Sequence, residues 1–234
     1  MVFRVKELHP LRLPARLDSP VHAVVLAAGL GQRFGGGKLH ALYRGRPLLS
    51  HVLAVVEGAR NQGLLDQGHV VVAAGDEQAA TLVRGARLQV LVNDAPKLGL
   101  SHSLRIGLAS VERATGTEAG AALILLGDQP LVRLEVIEQL VRAWKDRRGT
   151  IVRARYEAQS DAPGHPVLLS RQIWTQVGQL EGNVGFGALF DSSSPGFVAV
   201  DVPGDNPDVD TLADLQALEE TTNPRPVVPW NARP

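Results

Sequence analysis

Seven short apolar runs punctuate the chain: "AVVLAAG", "HVVVAAG", "LQVLVN", "AALILLGD", "TIVRARY", "HPVLLS" and "FVAVDVP". Each has the length and composition of a strand. Between the first two, Leu48, Leu49, Val52, Leu53, Val55 and Val56 recur at helical spacing, with Pro47 suited to the first turn. A second stripe, Leu134, Val136, Ile137, Leu140, Val141 and Trp144, follows the fourth run. Strands alternating with helices predict right-handed crossovers and a mostly parallel sheet covered on both faces, a three-layer Rossmann-like α/β fold. Runs that are apolar throughout, rather than alternating, agree with strands buried on both sides. Residues 1–19 read as an extension and "TTNPRPVVPWNARP", from Thr221, as a proline-rich tail, which leaves one domain over 20–220. Open sheets of this kind collect ligands at the carboxyl ends of their strands, so the ends of the first and fourth runs draw attention.

Composition narrows the chemistry. Lys+Arg and Asp+Glu both number 24 in 234 residues, so no global positive field favours nucleic acid or an acidic membrane surface. An anion site must then be local. The absence of cysteine removes disulfides, thiolate metal sites and a cysteine nucleophile together, and fits a reducing compartment. The amino-terminal stretch is broken by Pro10 and Pro14, and no run approaches the length of a membrane helix. The expectation is a soluble, cytoplasmic protein.

The first run opens into "LAAGLGQRFGGGKL", residues 26–39. A Walker loop fails here on spacing: counting back from Gly37-Lys38 puts Gln32 where its first glycine belongs, and Leu39 replaces the magnesium-binding hydroxyl. A dinucleotide turn fits poorly too. After Gly29 and Gly31 the third glycine comes one position late, and no acidic residue stands at the ribose spacing. A third reading uses every unusual residue. Small Ala27, Ala28, Gly29 and Gly31 admit a nucleotide close to the backbone, and their N–H groups line an anion-binding concavity. Arg33 forks onto phosphate oxygens and Lys38 adds a compact charge. The plain alternative is a flexible glycine loop with two solvated cations. In the fourth run, Asp128 follows the strand directly. It suits Mg²⁺ held against a triphosphate, or else a turn or helix cap before Leu134.

The loop resembles the L-A-[AG]-G-x-G-x-R-[MF]-G-x-x-K signature of nucleotidyltransferases, in particular the branch that attaches nucleotides to molybdenum cofactor, and the resemblance runs from about His22 to Ala217. It implies that Leu26, Ala27, Ala28, Gly29 and Gly31 bind nucleotide, that Arg33 and Lys38 act on its phosphates, and that Asp128, in "LLGDQP", binds the metal. That hexapeptide resembles the cytidylyltransferase version more than the guanylyltransferase one. The pattern N-x-x-x-x-x-G-x-x-x-S-[LI]-x-x-G-[LI] is met by Asn93, Gly99, Ser103, Leu104, Gly107 and Leu108, which implies nucleotide contact at the start of a helix near Ser101. Ser101 and Ser103 would alternatively cap that helix. "DNPDVDTLADL" resembles the D-[IV]-D-T-P-E-D-L stretch of relatives and implies a second metal ligand, Asp208, with Asp210 as the alternative; Asp210 or Thr211 would otherwise cap the last helix. "APGHPVLLS" resembles the acceptor-side segment, with Gly164 and His165 as pocket walls. Where relatives read G-D-x-G-A-R, this chain has Asn183 for the Asp and Gly187 for the Arg, which puts the acceptor in doubt.

The reading that follows is an Mg²⁺-dependent enzyme. It passes CMP from CTP to the phosphate of molybdopterin cofactor and releases pyrophosphate, with an apo-molybdoenzyme or its chaperone as downstream partner. The alternatives are GMP transfer to the same cofactor, transfer to a sugar or alcohol phosphate, and a non-catalytic carrier. Asn183 and Gly187 favour the carrier, whereas Arg33, Lys38 and Asp128 oppose it.

Overall fold

The protein is described by a computed structural model over residues 19–116, 120–147, 149–159, 164–177, 182 and 196–222. The extension up to residue 18, the tail from 223, and the departures at Asn183 and Gly187 lie outside the described residues. In chain order the elements are β1 (Val21–Ala27), β2 (Leu42–Tyr43), β3 (Arg46–Pro47), α1 (Leu48–Asn61), β4 (Gly68–Ala73), α2 (Glu77–Gly85), β5 (Gln89–Asn93), α3 (Leu100–Thr115), β6 (Ala121–Leu126), α4 (Leu134–Arg147), β7 (Ile151–Tyr156), β8 (Val167–Ser170), α5 (Trp174–Val177), β9 (Phe197–Val202) and α6 (Leu212–Thr222). All seven apolar runs are strands of one seven-stranded sheet, in the order β5-β4-β1-β6-β8-β7-β9. The predicted mostly parallel α/β architecture is what the chain forms.

One strand runs against the rest. β8 pairs antiparallel with both β6 and β7, while the other sheet pairs are parallel. The reason is length: returning parallel takes a crossover of a dozen or more residues, and only the segment 157–166 separates β7 from β8. The small β2–β3 hairpin carries no period-2 run long enough to announce it in sequence.

Alternation along the strands builds two cores. Ala23, Val25, Leu123 and Leu125 face α1, α2 and α4, whereas Val24, Leu26, Ile124 and Val167 face α3 and Trp174. α3 lies unusually close to β1. A Cβ built on Gly107 would stand 2.3 Å from Val24 Cγ1, so the glycine is a packing requirement. At the amino ends of the strands, away from the loop, His22 and His69 form a buried chain: His22 Nδ1 meets His69 Nε2 at 3.3 Å, and His69 Nδ1 meets Ser110 Oγ at 3.1 Å. Burial, then the neighbouring His22, push the His69 pKa down to about 4.

Two stability predictions follow from this packing. Gly107→Ala overfills the α3–β1 contact and lowers unfolding free energy by about 1–3 kcal/mol in urea titration, and Val24→Ala in the same chain restores part of the loss. For His69 the folded pKa lies below the unfolded one, so the unfolded chain binds more protons between about pH 6.5 and pH 4. Stability present at neutral pH is therefore lost as pH falls through that window, and His69→Asn flattens the fall of the urea midpoint.

Candidate functional site

β1 delivers the chain to the loop with Ala27 and Ala28 still buried, and the backbone then turns through two 3₁₀ segments, Gln32–Phe34 and Lys38–His40. Gly31 is the hinge of that turn. Its φ of +58° suits glycine, and a Cβ there would press on Lys38 Cβ at 3.1 Å. The Gly31 carbonyl accepts from Phe34 N and Gly36 N, folding the loop back on itself. Leu39 then buries in the core, and the His40 ring contacts both carboxylate oxygens of Asp76, whose Oδ1 also caps α2 by accepting from Ala79 N. Leu39 and His40 thus hold the backbone that presents Lys38.

Lys38 reaches across to two acidic residues. Its Nζ lies 2.5 Å from Asp128 Oδ2 and 3.0 Å from Asp210 Oδ1, with the side chain only 10% exposed. Burial works against the ammonium, but the charges and hydrogen bonds of Asp128 and Asp210 prevail and hold its pKa above the ordinary lysine value. Arg33 Nη2 lies 2.8 Å from the other Asp210 oxygen, yet its side chain is 75% exposed. Such an open pair is weak, so the guanidinium is at liberty to turn onto a phosphate.

The two aspartates arrive from distant segments that are tied together. Val209 N donates to the Asp128 carbonyl. Gln129 Nε2 donates to Asp208 Oδ1 at 2.7 Å and to the Asn206 carbonyl at 3.2 Å, and Asn206 Nδ2 donates back to Gln129 Oε1. Both amides are buried. Thr211 caps α6: its hydroxyl accepts from Asp214 N, and Asp214 Oδ2 accepts from Thr211 N and Asp210 N. Capping thus falls to Thr211 and leaves the Asp210 carboxylate for Lys38 and Arg33.

These groups open on a cleft of about 510 Å³ at the carboxyl ends of β1 and β6. Leu26, Ala27, Ala28, Gly29, Gly31, Arg33, Lys38, Gly99, Ser103 and Asp128 all line it, as does Asp210. Four residues predicted for the site do not. Asp208 is turned to Gln129, and its pKa is raised by burial and by the charge of Asp128. Gly164 and His165 lie along the β8 side, where His165 is linked to the clamp through its carbonyl, which accepts from Asn206 Nδ2. Asn93 is fully buried beneath the cleft wall. Its Oδ1 accepts from Ala95 N, which points its amide nitrogen at Ser103 Oγ, 2.9 Å away. Ser103 Oγ is thus held at the cleft wall as the acceptor of the Asn93 amide. α3 begins at Leu100 with Gly99 as its cap residue, so neither Ser101 nor Ser103 caps it.

Sequence reasoning missed the Gln129–Asn206 clamp and the cleft residue Lys97. The clamp pairs positions 77 apart, and two uncharged amides carry no spacing signal.

The MobA-like NTP transferase domain matches residues 23–197. The bifunctional protein GlmU of Burkholderia multivorans is 36% identical over 130 residues, which is 55% of this chain and 26% of that protein. The chain thus spans about a quarter of the length of the curated relatives it matches. Among solved structures, Rv0371c from Mycobacterium tuberculosis H37Rv superposes with a TM-score of 0.69 at 30% identity, covering 86% of this chain and 98% of that one. The Rv0371c complex with manganese superposes at 0.67, also at 30% identity, covering 86% and 99%. A domain match over most of the length, on this fold, shows that the chain belongs to the MobA-like NTP transferase family.

Proposed function

We propose that the cleft transfers a nucleotidyl group, with CTP the first choice of donor and the phosphate of molybdopterin cofactor the acceptor. The observation that carries the reading is the Lys38 ammonium lodged between Asp128 and Asp210 on the floor of a glycine-walled cleft. A phosphate oxygen of the acceptor attacks the α-phosphorus. The bond from that phosphorus to the β-phosphate bridging oxygen breaks, and pyrophosphate leaves. Such transfer asks for positioning and charge neutralisation, which the cleft's cations and carboxylates are suited to supply without a covalent intermediate.

The donor set suits a hard divalent ion. Asp128 and Asp210 supply carboxylate oxygens, and among the described residues no group of three His, Cys, Asp or Glu side chains forms a cage of its own. Mg²⁺ is commonly held by one or two carboxylates with substrate phosphates completing the shell. Asp210, the alternative ligand, meets this need better than Asp208, whose oxygen is engaged by Gln129. When bound, the ion would neutralise charge on the triphosphate and polarise its phosphorus. The chain's own residues do the rest. Arg33 swings from Asp210 to the phosphates, Lys38 moves its ammonium onto the leaving pyrophosphate, and Ser103 donates toward the nucleoside. Transfer of GMP to the same cofactor, or of a nucleotide to a sugar or alcohol phosphate, uses the same donor machinery. An apo-molybdoenzyme or its chaperone would then take up the product.

Pyrophosphate release is the test, measured for each NTP with Mg²⁺ or Mn²⁺ against molybdenum cofactor and a panel of sugar and alcohol phosphates. Release with CTP and the cofactor supports the full reading. Release only with another acceptor moves the substrate, and tight cofactor binding without release makes the protein a carrier. Asp128→Asn lowers kcat by about 10²–10³-fold; full turnover in that variant would remove the metal assignment. Asn93→Ala, which frees Ser103 without touching substrate, raises the nucleotide KM roughly tenfold and changes kcat far less, as loss of one or two buried hydrogen bonds implies.

A further inference from the structure

β7 carries two arginines on one face of the sheet, and the fold treats them differently. Arg155 is exposed and forked onto Asp201 of β9, Nε to Oδ1 at 2.5 Å and Nη2 to Oδ2 at 3.0 Å. Arg153, one pleat earlier, is only 8% exposed, and among the described residues its guanidinium meets no carboxylate and no hydrogen-bond acceptor; its Nε is both buried and unpartnered. Burying a cation without a partner is among the most unfavourable arrangements a fold can hold, and guanidinium does not escape by losing its proton. Burial alone already pulls the Arg153 pKa downward.

Strand register places this bare charge. Arg153 stands opposite Val167, which stands opposite Ile124, two residues before Leu126 in the cleft wall. Its neighbour Ile151 belongs to the same core as Leu26 and Ile124, so alternation puts Arg153 on the face that carries the cleft-lining residues Leu26 and Ser103. From β1 to β7 is three strand spacings, on the order of 14 Å, so Arg153 stands well to one side of the glycine loop. His165 adds no second charge here. Burial and the Arg153 charge push its pKa to about 3, so it stands neutral beside the arginine.

We propose that Arg153 is an anion-recognition residue on the acceptor side, pairing with an oxyanion, phosphate or carboxylate, carried by the nucleotidyl acceptor. Unpartnered among the described residues, the guanidinium is then a desolvated donor whose partner arrives with the substrate. Nothing in this requires the acceptor to be molybdopterin. It rests on the transfer reading only for the source of the anion, and anion binding is measured without turnover, so the two readings fail separately.

The experiment titrates inorganic phosphate, and in a parallel arm acetate, by calorimetry into Lys38→Met protein, which lacks the triphosphate-side ammonium. Binding of either anion is expected there, reduced at least tenfold on adding Arg153→Met, with Arg153→Lys keeping an intermediate affinity. The phosphate and acetate arms distinguish the two anion types. A second readout guards against a merely damaged fold: in anion-free buffer Arg153→Met raises Tm, because an unpaired buried charge has gone. Equal anion binding with and without Arg153, or a lowered Tm together with unchanged anion affinity, overturns the proposal.

Discussion

A single ammonium between two carboxylates organises the cleft. Lys38 closes the charge on Asp128 and Asp210, which otherwise would stand with Asp208 as a cluster of like charges at the end of β6. The loop glycines, the Leu39 anchor, the Gln129–Asn206 clamp and the Thr211 cap all serve to bring those three side chains within reach. On the proposed function, a triphosphate with a divalent ion would offer the ammonium a richer anion and the carboxylates a stronger cation, so that binding of nucleotide and of ion would be linked through one side chain.

The legible part of this molecule is the part governed by local rules. Buried parallel strands write themselves as unbroken apolar runs, and every one of the seven enters the sheet. Arg33, Lys38 and Asp128 stand out because charged residues beside glycines or after a strand have few local reasons to be there, and all three line the cleft. What could not be read is pairing at a distance. Asp208 and Asp210 look equivalent along the chain, and only the turn of the backbone after Val209 decides which carboxylate faces Lys38. Asn93 illustrates the same gap: the resemblance implies ligand contact, while its buried amide donates to Ser103 Oγ. Arg153 gives no local signal, because an arginine in "IVRARY" looks like any strand residue and its burial depends on elements remote in sequence.

The antiparallel course of β8 has a wider meaning for how such a sheet diversifies. Within the sheet, the four residues of β8 join the β5-β4-β1-β6 block to the β7-β9 pair. The first block carries the loop and Asp128, and the second carries Arg153 and Arg155. Both neighbours of β8 pair with it antiparallel, and a one-residue slip there would turn every β8 side chain to the other face, so its register is held from both sides. The sheet therefore has a seam: the half that carries the loop and Asp128 and the half that carries Arg153 and Arg155 meet along one short strand, so on the proposed function the two could vary apart.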